Sequence, residues 1–215
     1  KSQKIIENPI EKIKKAINNP ISSSPLKRIV REKQYLNQIC LVISDATRPL
    51  PSHLILEALI EELNSYGIED KKIIITAGHI IPVKGHIFLV DAMSEIIKYR
   101  KDILCLIIGS GSKKNHIKRQ VKKLNLQDYV KLVGQKPHSE IPIWINACDI
   151  FVLPSLNEGN PTVMFETFGC GRPFIGTKVG GIPEIINSDE YGFLVRPGDS
   201  QDLAKKMLIA LDKEW

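Results

Sequence analysis

Cysteine is scarce and never paired. The four cysteines, Cys40, Cys105, Cys148 and Cys170, are widely separated, sit within or beside apolar runs and form no C-x-x-C pair. That pattern argues against a zinc site and for buried free thiols. No apolar run approaches the ~20 residues needed to cross a bilayer. The N-terminal residues lack the apolar core of a signal peptide, so the expected compartment is the cytoplasm. Internal repeats and low-complexity tracts are absent. So is the aromatic-interleaved basic motif of an RNA or DNA reader, and nucleic acid is not an expected partner.

What is present is ordinary globular composition, with 43% hydrophobic and 25% charged residues, which excludes disordered and collagen-like states. A chain of 215 residues can bury one sizeable core or two small ones. The formal charge of +6 reads most simply as solvated surface; phosphorylated ligands and anionic lipid are the alternatives.

Near the N-terminus, Asn8 is the expected cap of a helix with Pro9 at its first position. Ile6, Ile10, Ile13 and Ile17 form one stripe opposite Lys12, Lys14 and Lys15. Such a basic amphipathic helix can make weak contact with a membrane surface, although packing is its commoner fate. The apolar run from Gln38 to Ser44 suits a buried strand. A helix opening at Pro51 or Ser52 presents Ile55, Leu56, Leu59, Ile60 and Leu63, and Gly67 stops it. Strands are then expected at Lys72 to Ala77, Ile103 to Ile108, Val130 to Val133, Ile150 to Leu153, Pro173 to Gly176 and Phe193 to Val195. Helical patterns alternate with them at Ile87 to Tyr99, Lys113 to Leu124, Glu140 to Asn146, Pro161 to Cys170 and Asp199 to Leu211, the last capped by Asp199. The predicted fold is α/β: a doubly wound, Rossmann-like parallel sheet preceded by a strand-helix unit and an N-terminal helix. Ligands belong at the carboxyl ends of its strands.

The chemistry-bearing stretch runs from Pro154 to Glu166, after an apolar strand and into a helix. Glu158 falls in the strand-to-helix loop. Glu166 falls about two turns into the helix if that helix begins near Gly159. The two carboxylates can grip two parts of one extended molecule. Gly159 lets backbone approach it closely, and free N–H groups at the helix start bind hydroxyl or phosphate oxygens. His53, His86, His116 and His138 lack metal-ligand spacing, and no metal or cofactor is expected.

Pro154-Ser155, Glu158-Gly159, Pro161, Glu166, Gly171-Arg172-Pro173 and Val179-Gly180-Gly181-Ile182-Pro183-Glu184 together resemble the signature of retaining GT-B glycosyltransferases of the family-4 type. The likeness extends back through Val133-Gly134, Pro137 to Pro142 and Ile108-Gly109-Ser110-Gly111 to Pro82-Val83-Lys84-Gly85-His86, and forward to Gly192-Phe193-Leu194-Val195. It covers about two-thirds of the chain. The resemblance implies a nucleoside-diphosphate sugar as partner and transfer of its glycosyl group, with the acceptor unspecified. It implies catalytic roles for Lys84, on the donor diphosphate, and Glu158, on the transferred sugar. Gly85 opens a helix facing the same phosphates, Gly159, Asn160, Pro161 and Thr162 line the pocket, Glu166 holds the ribose, and Gly134 borders the base. One departure stands out: Gly78-His79 replaces the family's Gly-Arg, whose arginine normally partners the lysine on the diphosphate.

Residues before Lys72 are too few for the family's acceptor domain. Instead Val42 to Pro49, with Pro51-Ser52, Asn19-Pro20-Ile21 and Ser24-Pro25-Leu26, resembles the N-terminal region of the nickel-pincer lactate racemase family. That likeness implies a small-carboxylate site at Asp45 and Arg48. The family's Gly-Thr-His-Arg segment is replaced by Gly78-His79-Ile80-Ile81, so racemase activity is not expected. The expected division is 1–71, lactate-racemase-like, and 72–215, donor-binding, in a chimera joined around Ile68 to Gly78. Glycosyl transfer by the chain alone is not expected. An inactive hybrid is the alternative.

Overall fold

Six short apolar runs become the strands of one parallel sheet in the computed structural model, which describes residues 7–21, 24–32, 52–66 and 71–215. The strands are β1 (Lys72–Ala77), β2 (Ile103–Ile108), β3 (Val130–Gly134), β4 (Ile150–Leu153), β5 (Phe174–Thr177) and β6 (Gly192–Val195). Their order across the sheet is β3-β2-β1-β4-β5-β6, with every neighbouring pair parallel. This is the doubly wound order in which the chain leaves the centre in both directions.

The connecting helices are α4 (His86–Ile96), α5 (Lys114–Lys123), α6 (Ile141–Asn146), α7 (Thr162–Gly169), α8 (Ile182–Ile185) and α9 (Ser200–Asp212). Alternate side chains on a strand point to opposite faces, and here each face has its own core. Ile74, Ile150, Val152 and Ile175 join Leu89 and Met93 of α4, Ile117 and Val121 of α5, and Leu203 and Met207 of α9. Their neighbours Ile75, Phe151, Leu153 and Phe174 join Ile145 of α6, Met164 of α7 and Ile182 of α8. Phe151 and Phe174 stack with ring centroids 5.8 Å apart.

Cys105 and Cys148 are buried free thiols, both pushed up to about 12 by burial, and Cys170 is a half-buried free thiol. Two helices are shorter than expected. α4 ends at Ile96, leaving Tyr99 exposed. α7 begins at Thr162, so Glu166 lies about one turn inside it and not two. The four-residue α8 went unforeseen, being too short to show a helical period. Asp199 caps α9 as expected, accepting from the amides of Gln201 at 3.1 Å and Asp202 at 2.9 Å. Asp199→Ala should therefore cost about 1 kcal/mol in chemical denaturation; an unchanged midpoint would show that the cap contributes nothing.

The chain divides into two units, Lys1–Asp70 and Lys71–Trp215. In the first, α1 (Pro9–Asn18), α2 (Leu26–Glu32) and α3 (Ser52–Ser65) are described. Ile10, Ile13 and Ile17 are half-buried along the stripe of α1, which packs against α3. Asn18 donates to Glu62 at 2.8 Å, and the Tyr66 hydroxyl meets both residues. Asn8 precedes the helix but does not cap it. It takes the left-handed conformation, with φ 49°, and its side chain makes no cap bond, since capping needs an extended residue at that position. On α3, Leu63 is buried and Ile55 and Leu59 are half-buried, as expected, and Ala58 joins them, whereas Ile60 stays 36% exposed and so lies at the edge of that face. The expected strand at Gln38 to Ser44, Cys40, Asp45, Arg48 and Gly67 lie outside the described residues. Among the described residues no helix is long and apolar enough to cross a membrane.

Candidate functional site at the centre of the sheet

β1 and β4 lie side by side, yet their connections depart to opposite halves of the sheet. A crevice opens at the carboxyl ends of such a pair. The loops above it are bound tightly together. After β1, Pro82–Lys84 make one 3-10 turn, and Gly85 follows with φ 63°. A Cβ at Gly85 would lie 1.9 Å from the Pro154 carbonyl oxygen, so only glycine lets this loop sit on the end of β4. The Leu156 amide donates to the Val83 carbonyl at 2.7 Å and stitches the two loops together. The loop after β5 closes from the other side. Gly180 has φ 53°, and a Cβ there would stand 2.0 Å from the Glu158 carbonyl oxygen.

This packing fixes Lys84 and Glu158, which are 74 residues apart, as an ion pair with Nζ to Oε1 at 2.6 Å. The Glu158 side chain is only 8% exposed and that of Lys84 24%. Ser155, fully buried, donates to the same Glu158 oxygen at 2.6 Å, while its carbonyl accepts from the buried Thr177 hydroxyl at 2.5 Å. Glu158 is thus held from two sides in a poorly hydrated position, where charge interactions are strong. His86, at the first turn of α4, is also buried. Burial foremost, and then the nearby Lys84 ammonium, push it down to about 4, so it is neutral at physiological pH.

Beside the pair lies a cleft of about 480 Å³. Gly78, His79 and Lys84 line its β1 side, Gly109 and Ser110 its β2 side, and Gln135, Lys136 and His138 its β3 side. Pro161, Thr162 and Glu166 form the wall from β4 and α7. Glu166 is 23% exposed and lies 3.6 Å from the imidazole of the exposed His138. The start of α7 carries no side-chain cap, so its first amides are available to an anion or hydroxyl.

The expected site residues fall into two groups. Lys84, Pro161, Thr162 and Glu166 line the cleft, with Glu158 reaching its edge through Lys84. Gly85, Gly134, Gly159 and Asn160 build the frame. The Gly134 carbonyl accepts from Gly109 at 2.8 Å, the Gly159 carbonyl accepts from Gly181 at 3.0 Å, and the Asn160 side chain fills the space next to Gly181. Sequence reasoning missed Ser155 as the donor to Glu158, though a short hydroxyl three residues earlier was a legible signal. It also missed Gln135 and Lys136, which carry no motif. Among the described residues no three His, Cys, Asp or Glu side chains gather as a metal site would require.

Comparison with known proteins gives the family and the fold. The family model of glycosyl transferases group 1 matches residues 60–214, and that of the lactate racemase N-terminal domain matches residues 1–80. N-acetyl-alpha-D-glucosaminyl L-malate synthase of Bacillus anthracis is 33% identical over 150 residues, 69% of this chain and 39% of that protein. Anabaena HepE, solved in complex with UDP-glucose, superposes with a TM-score of 0.62 at 25% identity, covering 76% of this chain and 44% of its own. The C-terminal domain of a glycosyl transferase group 1 family protein of Francisella tularensis superposes with a TM-score of 0.59 at 27% identity, covering 72% of this chain and 82% of its own. The chain spans between a quarter and two fifths of the length of the curated relatives it matches.

Proposed function

Because the chain belongs to the glycosyl transferases group 1 family, we propose that its second unit binds a nucleoside-diphosphate sugar in the cleft between β1 and β4, as the donor half of a retaining glycosyltransferase. The Lys84–Glu158 pair at the edge of that cleft carries the reading. A diphosphate entering beside Lys84 offers the ammonium a second anionic partner, and charge-assisted bonds of this kind are strong. Glu158, held by Ser155, then faces the sugar. Glu166 accepts from the two vicinal ribose hydroxyls, and the base lies along Gly134 to Lys136. HepE, solved with UDP-glucose, supports a uridine nucleotide as the first to try.

In the transfer, the bond between the anomeric carbon and the diphosphate oxygen breaks, one to an acceptor hydroxyl oxygen forms on the same face, and the hydroxyl proton passes to the departing diphosphate. Charge accumulates on the departing diphosphate. Lys84 and the free amides at the start of α7 are placed to stabilise it without reorganisation. His79, where the family has arginine, gives less help, because an imidazole offers two ring nitrogens in place of a guanidinium's five N–H donors in a fixed fork. Donor binding is the part of that reaction for which the cleft residues account.

Calorimetry with uridine, guanosine and adenosine diphosphates tests the assignment. Lys84→Ala and Glu166→Ala should each weaken binding roughly 10- to 100-fold, the value of one or two charge-assisted hydrogen bonds, while the fold stays intact. Unchanged affinity in both would end the residue roles. A nucleotide that binds must also raise stability, by about 2.7 kcal/mol at 100 times its dissociation constant; a melt that no nucleotide shifts would favour an inactive hybrid.

The lactate racemase N-terminal match supports a second proposal, that the chain is a hybrid of two α/β proteins. The two family matches overlap over residues 60–80, a stretch that contains all of β1, which can pair in either parent sheet. Sequencing the parent gene across this stretch decides the matter: a continuous gene with many full-length relatives removes the idea.

A further inference from the structure

We propose that the exposed face of α5, with the apolar pocket at its N-terminal end, docks on bilayers of anionic phospholipid. This surface is separate from the donor cleft, and the proposal stands without it. From Lys113 to Lys123 the chain carries Lys113, Lys114, Lys118, Arg119, Lys122 and Lys123 and no acidic residue. Ile117 and Val121 face inward. Lys113, Lys118, Arg119, Lys122 and Lys123 are exposed. Among the described residues none of the six cations forms an ion pair.

This arrangement is unfavourable for the helix by itself. Lys114, Lys118 and Lys122 repel along one i,i+4 row, and Arg119 and Lys123 along the next. Lys113 and Lys114 stand at the helix end whose dipole is already positive. An external anionic surface relieves both. Three residues of this segment, Lys113, the exposed His116 and the inward-facing Ile117, also line a pocket of about 220 Å³ whose remaining wall is largely apolar and includes Ile87, Phe88 and Leu156, the last 41% exposed. Cations continuous with an apolar recess match phosphate headgroups above acyl chains. A nucleic acid would use the charge and leave the recess empty.

Flotation of the full chain with phosphatidylglycerol vesicles, against phosphatidylcholine vesicles, tests this. The unmodified protein should float with the anionic vesicles only, and less so as salt rises. The variant Lys118→Glu/Arg119→Glu/Lys122→Glu should lower the bound fraction at least tenfold. Leu156→Gln, which leaves the charge alone, should lower it severalfold. Lys12→Glu/Lys15→Glu on α1 should change it little. Equal flotation of the α5 variant, equal capture by neutral vesicles, or loss confined to the α1 variant would each overturn the proposal. Circular dichroism melts verify that each variant is folded. UDP affinity, measured alongside, reports on the donor cleft separately.

Discussion

Gly85→Ala should destabilise the second unit by roughly 3–5 kcal/mol. About 1–2 kcal/mol of that comes from forcing a residue with a Cβ into the left-handed region. The rest comes from overlap, because the new carbon would stand 1.9 Å from the Pro154 carbonyl oxygen. Neither backbone can retreat without breaking the 2.7 Å bond from the Leu156 amide to the Val83 carbonyl. At this chain length the loss corresponds to a fall in melting temperature of roughly 10 °C. Gly159→Ala is the matched comparison, since its Cβ would meet nothing within 4 Å. It should leave stability within about 0.5 kcal/mol and alter only nucleotide affinity. If Gly85→Ala unfolds within 1 kcal/mol of the unmodified chain, the two loops are not locked as described.

The second large effect is a dependence of stability on pH. His86 is neutral in the fold, held down to about 4 mainly by burial, whereas in the unfolded chain it takes a proton near 6.5. Above that value the residue adds no pH dependence. As the pH falls from 6.5 towards 4, the unfolded state binds a proton that the folded state refuses, so stability drops and then levels off. At about 1.4 kcal/mol per pH unit the total is roughly 3 kcal/mol. His86→Asn removes the titrating group and keeps a polar side chain. Denaturation series at pH 4 to 7 should show the unmodified protein losing about that much more than the variant. Parallel curves would mean that the imidazole reaches solvent in the folded state.

Much of this architecture is legible in the chain. Runs such as Ile103 to Ile108 and Ile150 to Leu153 are too apolar and too short for anything but strands buried on both faces, and the helices between them carry a clear period. The site was legible as a set of candidates meeting in one cleft at the strand ends, but not as a direct ion pair. Lys84 and Glu158 each sit at the end of a recognisable strand, yet no local pattern says that β1 lies next to β4, and their direct pairing follows from that adjacency alone. Gln135 and Lys136 enter the cleft by the same route, through the place of β3 in the sheet. Asn8 shows the opposite failure. Its residue type is right for a cap, but the backbone entering the helix takes a conformation in which the type does not matter.

The central seam of the sheet has a consequence for how the crevice comes into being. β1 meets β4 in register at only two residue pairs, Ile74 with Ile150 and Ile75 with Phe151, and those partners are some 76 positions apart along the chain, far more than the neighbours within either half. Joining them requires the largest loop closure in the sheet, for the smallest number of ladder contacts. The seam is therefore expected to close after the ladders within each half. Until it closes, the cation and the carboxylate that define the cleft stand on strands not yet joined, and a chain arrested at that point would have ladders on either side and no place for a ligand.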